Sequence, residues 1–105
     1  MSAKRASSRT VVGVMGSGGP LDARERSRAY ELGAAIARRG WVLLTGGSAD
    51  GVMDAASEGA RASGGLVIGV LRTADGTEAS THLDVAIRTG MGDARNVINV
   101  FRAMS

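Results

Sequence analysis

The sequence predicts an α/β domain built on a parallel sheet, and three observations lead there. Short apolar runs recur at Thr10 to Met15, Trp41 to Leu44 and Leu66 to Leu71, the kind of continuous run that is buried on both faces of a parallel sheet. Helical patterns separate them. The first two runs end in glycine-rich turns, Gly16 to Gly19 and Gly46 to Gly51, as βα turns in such sheets do.

Taken in order, Thr10 to Met15 reads as the first strand. From Leu21 to Arg39 the period becomes helical, with Ala29, Leu32 and Ile36 on one face and Arg24, Glu25, Arg28, Glu31 and Arg38 around the other; Gly40 ends it. Trp41 to Leu44 is the second strand. A helix from Gly51 to Ser63 follows, expected to bury Val52, Met53, Ala56 and Ala60 and to close at Gly64 and Gly65. Leu66 to Leu71 is the third strand, Arg72 to Leu83 a polar loop and Asp84 to Thr89 a short fourth strand. The segment Asp93 to Met104 places Ala94, Val97, Ile98, Phe101 and Met104 at helical spacing, with Asp93 as N-cap. The order is β-α-β-α-β-β-α, and right-handed crossovers make it a Rossmann-like α/β/α fold. One domain is expected over residues 10–105, behind a flexible basic tail at residues 1–9.

Composition narrows the function classes. The net charge is +3, but Lys4, Arg5 and Arg9 belong to the tail and its edge, and without them ten arginines face ten acids. With one Phe, one Trp and one Tyr, the chain has neither the clustered basic face nor the stacking aromatics of a nucleic-acid binder. It has no cysteine, which excludes disulfides and thiolate metal sites. No apolar run approaches the ~20 residues of a membrane span. A cytoplasmic protein without a nucleic-acid or membrane partner is expected.

The chemistry is expected in the turns. Ligands of parallel sheets sit at the carboxyl ends of the strands, so the turns at Gly16, Ser17, Gly18 and Gly19, at Gly46, Gly47, Ser48 and Gly51, and at Thr89 and Gly90 should share one rim. Glycine lets the backbone approach a phosphate, and helix amino-terminal amides supply donors and partial positive charge. Arg95 and Asn96 stand one turn into the last helix, where Arg95 could reach an anion. The alternative is that these glycines only make tight turns. A dinucleotide fingerprint fits badly, because Leu21 stands where its third glycine would be and no acidic residue ends the second strand. No Walker A loop is present, since Lys4 is the only lysine. No metal site is expected: His82 is the only histidine and sits in a polar loop, read as a solvated surface residue. Asp50 and Asp54 read as a cap or dipole complement, and Glu58 as solvated.

Gly46 and Gly47, then Gly51 to Ala56, with Gly59, Ala60, Gly64 and Gly65 behind them, resemble the LOG-like (SLOG) Rossmann superfamily, most of all its molybdenum-cofactor-carrier-like branch. Thr89 to Asn96, continuing through Ile98, Asn99 and Val100, is similar to a second signature of that branch. The resemblance covers about residues 10 to 100. It implies a three-layer α/β/α domain, usually oligomeric, that binds a phosphate-bearing ligand such as a nucleoside monophosphate or the molybdenum cofactor. In cytokinin-activating members it implies phosphoribohydrolase activity, with Arg95 as the catalytic or phosphate-stabilising arginine. Those enzymes also use a glutamate in a later Pro-Gly-Gly-x-Gly-Thr-x-x-Glu loop, which the 105 residues do not contain.

A fold truncated before its carboxy-terminal strands is therefore expected, without independent hydrolysis of nucleoside monophosphates. The isolated chain is also expected to be a strand-paired or domain-swapped homo-oligomer, or to be poorly soluble, with the edge near Val12 and Val14 in the contact. A phosphate-ligand binding protein is the leading expectation; a phosphoribohydrolase completed by another chain, or a ligand-free assembly element, are the alternatives.

Overall fold

The computed structural model describes residues 9–16 and 19–91; the helix expected at 93–104 lies outside them. The elements run β1 (Val11–Val14), α1 (Ala23–Arg38), β2 (Val42–Thr45), α2 (Gly51–Ala62), β3 (Val67–Leu71) and β4 (Val85–Arg88). All four strands are parallel and stand in the order β1-β2-β3-β4, with Val12 opposite Leu43, Leu43 opposite Val67 and Ile68 opposite Val85. This is the Rossmann-like α/β architecture that the apolar runs and glycine turns predict.

Local chemistry sets the helix ends. Asp22 caps α1 by accepting from the Glu25 amide at 2.7 Å, while the Glu25 carboxylate accepts from the Asp22 amide at 3.2 Å, a reciprocal capping box. At the other end Gly40 turns left-handed at φ +74°, and the Gly40 and Trp41 amides donate back to the carbonyls of Ala37 and Ile36. Trp41 is thereby drawn into the helix stop, and β2 begins one residue later than its apolar run suggests. Gly64 and Gly65 close α2 in the same way, onto Arg61 and Ala60.

A sheet that advances in one direction through right-handed crossovers puts successive helices on one face. Accordingly, Ile36 and Ala37 of α1 share a core with Ala56 and Ala60 of α2, over Val14, Leu43 and Val67 of the sheet. Met53 is buried as expected, whereas Val52 is only partly so.

Leu32 corrects the sequence reading. Its helical spacing with Ala29 and Ile36 placed it inward, but it is 46% exposed. The buried stripe of α1 is Ala29, Gly33, Ala34, Ile36 and Ala37. The cause is the closeness of the two helices: a Cβ on Gly33 would lie 1.8 Å from the Ala56 carbonyl oxygen, and one on Gly59 would lie 2.0 Å from that of Tyr30. A seam this tight admits only glycine and alanine, so the leucine turns to solvent.

Candidate functional site

Because every strand is parallel, the turns after β1, β2 and β4 open at the same carboxyl rim of the sheet. The first two meet. A Cβ on Gly16 would touch Val52 of α2 at 3.1 Å, so the turn after β1 rests on the first turn of α2. Beside that contact opens a pocket of about 400 Å³ lined by Pro20, Leu21, Arg26, Ala49, Asp50 and Gly51. Its size falls in the range of small-molecule sites. Gly19 is exposed on the approach to it, while Ser17 and Gly18 lie outside the described residues.

Within the β2 turn the glycines divide by role. The Gly46 amide donates to the Met53 sulfur at 3.2 Å, and the Gly47 amide donates to the Thr45 hydroxyl at 2.9 Å. Both amides are therefore spent on the turn itself. Gly47 sits at φ +78° with its α-carbon against Leu71, where a side chain would collide. The Ser48 hydroxyl accepts from the Asp50 amide at 3.1 Å. Asp50 occupies the N-cap position of α2 but makes no side-chain capping bond, so of the two roles expected for it, cap or dipole complement, the first is not taken. The first-turn amides of α2, beginning at Gly51, thus carry no side-chain cap where they border the pocket.

The third turn stands apart. β3 separates β4 from β2 in the sheet, so Thr89 and Gly90 lie about 10 Å along the rim at ordinary strand spacing. Thr89 donates its hydroxyl to the Leu71 carbonyl at 2.6 Å and accepts from the Met91 amide at 3.1 Å, so its oxygen serves the turn. Arg95 and Asn96 lie outside the described residues.

A polar cluster that the sequence reading missed borders the pocket. Arg26 of α1 reaches across to α2, its Nη2 donating to Glu58 Oε1 at 2.8 Å and to Asp54 Oδ2 at 3.4 Å. The hydrogen bond to Glu58 raises the guanidinium pKa most; burial opposes it, and the hydrogen bond to Asp54 and the charges of both carboxylates add to the rise. Asp54 Oδ1 accepts from the Ser80 hydroxyl at 2.7 Å, and the Ser80 amide donates to the Gly47 carbonyl at 2.8 Å. Asp54 stands in the first turn of α2, where it complements the helix dipole, and together with the 39% exposed Glu58 it also bridges α2 to Arg26. Their one-turn spacing on α2 was visible in the sequence; that Arg26 faces them was not. His82 is half-buried, and its amide donates to the Ser80 hydroxyl at 3.1 Å.

The loop that carries Ser80 is pinned by Glu78. Its carboxylate accepts from the Arg72 and Thr73 amides, at 3.1 and 3.2 Å, and from the Thr73 hydroxyl. Burial, the largest single influence, pushes the Glu78 pKa up, but these hydrogen bonds together hold it below the ordinary glutamate value. A depressed folded value means that this anchorage is complete above the ordinary glutamate range and is lost as pH falls through Glu78's own lower value. Protection of the Thr73 amide from hydrogen exchange is expected to fall over that window. Glu78→Gln should flatten the response, and a response unchanged by the substitution would remove Glu78 as its origin.

Among the described residues no group of His, Cys, Asp or Glu could hold a metal ion, and no helix is long and apolar enough to cross a membrane. The fold is shared with solved proteins. The molybdenum cofactor binding protein of Rippkaea orientalis superposes with a TM-score of 0.87 at 45% identity, over 93% of this chain and 60% of that one. The Moco carrier protein of Chlamydomonas reinhardtii gives 0.79 at 38% identity, over 91% and 59%. By sequence, an uncharacterized protein of Archaeoglobus fulgidus is 43% identical over 85% of this chain and 57% of its own length. A cytokinin riboside 5'-monophosphate phosphoribohydrolase of Mycobacterium tuberculosis is 43% identical over 58% of this chain and 33% of its own length. The chain therefore spans less than two thirds of the length of these relatives. Residues 9–104 match the SLOG cluster4 family, and the chain belongs to that family.

Proposed function

We propose that this chain is the amino-terminal, ligand-recognising part of a SLOG-type binding protein that takes a phosphate-bearing ligand, a nucleoside monophosphate or a molybdopterin-type compound. The pocket between the β1 and β2 turns carries the reading: it lies at the carboxyl ends of parallel strands and is bordered by the uncapped first turn of α2. The likeness to two molybdenum-cofactor proteins supports the ligand class. Gly46, Gly47 and Thr89 hold the turns in shape in this reading, and Gly51 and the amides after it meet the anion. Arg95 is the charged contact implied by the family resemblance.

The test is calorimetry of the purified chain with AMP and with a pterin phosphate. Binding is expected, and Arg95→Ala should weaken it by about 1.5 to 3 kcal/mol, the worth of a charge-assisted hydrogen bond. Absence of heat, together with no shift in melting temperature at millimolar ligand, would refute the binding function. The mycobacterial phosphoribohydrolase favours a second reading, hydrolysis of nucleoside monophosphates to free base and ribose 5-phosphate. Release of adenine from AMP in the same samples, lost in Arg95→Ala, would establish it.

A further inference from the structure

Arg26 both lines the pocket and is restrained outside it. Its two hydrogen bonds, to Glu58 and Asp54, run from Nη2 alone. Among the described residues Nε and Nη1 take no partner, so more than half of the guanidinium's five N–H donors are uncommitted. The side chain is 45% exposed, and Glu58, at 39%, is the more accessible of its two partners, since Asp54 is only 15% exposed and is held on its other oxygen by Ser80. An arginine placed only to clamp two helices needs no pocket beside it. Here the clamp borders a cavity that also meets the first turn of α2.

We propose that Arg26 is the specificity-determining cation of this pocket, selecting a phosphate monoester over a neutral ligand, and that Glu58 restrains it. The inference rests on the binding reading above and adds a residue and a control to it. The physical ground is competition. Guanidinium binds phosphate and carboxylate by the same charge-assisted hydrogen bonds. Two carboxylates against one guanidinium leave the cluster with a net negative charge, which opposes an incoming anion. Neutralising Glu58 should therefore favour the anion, an outcome that a purely structural clamp does not produce. Asp54, tied through Ser80 to the Gly47 carbonyl, still accepts from Arg26 Nη2 when Glu58 is neutralised.

The experiment is calorimetry of the whole chain with AMP, inorganic phosphate and adenosine, alongside thermal melts, for the native protein and for Arg26→Gln, Arg26→Lys and Glu58→Gln. Arg26→Gln is expected to weaken AMP and phosphate about tenfold or more. Arg26→Lys, which keeps the charge but not the planar donors, should fall between. Glu58→Gln should strengthen both anions by roughly two- to fivefold, the scale of one exposed ion pair. Adenosine should respond to none of the three. The proposal is overturned if the native protein binds AMP and Arg26→Gln binds it equally well, or if Glu58→Gln lowers both affinity and melting temperature. If the native protein binds neither AMP nor phosphate, the binding function fails first and this inference falls with it.

Discussion

Gly33→Ala is expected to destabilise the protein by about 3 kcal/mol, at the upper end of what overpacking a core costs. For a domain of this size that is a drop in melting temperature of roughly 15 °C. The expectation runs against intrinsic propensity, because alanine is the better helix former by about 1 kcal/mol. Tertiary sterics win: the new methyl would lie 1.8 Å from the carbonyl oxygen and 2.7 Å from the carbonyl carbon of Ala56. Those are backbone atoms, which cannot swing aside as the end of a long side chain can. Relief requires α1 and α2 to separate, which opens the core formed by Ile36, Ala37, Ala56 and Ala60. Gly59→Ala should behave likewise against Tyr30, and the double variant should cost less than the sum, since one separation relieves both clashes. Gly19→Ala, which meets nothing within 4 Å, is the control. Chemical denaturation that finds Gly33→Ala as stable as the control would disprove the tight seam.

Leu43→Ala is expected to cost about 3 to 4 kcal/mol, against a total stability of ~5 to 15 kcal/mol for a domain. Leu43 is fully buried in β2, between Val12 and Val67 in the sheet and under both helices. Apart from Ile36 and Met53 the buried helix faces are almost all glycine and alanine, so the sheet's leucines and valines supply much of the apolar volume. Neighbours as small as Ala56 and Ala60 have no side chain with which to fill a vacancy, and the cavity stays open. Leu32→Ala, the same substitution at a site 46% exposed, should change stability by less than about 0.5 kcal/mol. Equal losses at the two leucines would contradict the burial assigned to each.

The two leucines also mark where helical periodicity stops being informative. Spacing identifies a stripe about four residues wide on α1, but Leu32 and Gly33 are adjacent and both belong to it. Which of them faces inward depends on how closely a second helix approaches. That is a property of α2, set by Gly59 and Ala56, some twenty-five residues away. The site divides similarly. Glycine turns after apolar runs marked the carboxyl rim of the sheet in advance. The sequence pattern did not show that the Gly46 and Gly47 amides turn inward to Met53 and Thr45, because those bonds depend on the path of the turn. Arg26 was one of several arginines on a polar helix face until the packing of α1 against α2 set it beside Asp54 and Glu58.

By itself the sequence determined the alternation of strand and helix, the parallel sense of the sheet and the positions of its glycine turns. These follow from local rules: continuous apolar runs bury on both faces, left-handed glycines stop helices, and crossovers are right-handed. Only the tertiary structure decided the alanine and glycine seam, the exposure of Leu32, the pocket shared by the first two turns, the distance of Thr89 from it and the cluster around Arg26. Each of these depends on the separation of residues distant in sequence, and that separation is set by the close packing of whole elements, which no single segment encodes.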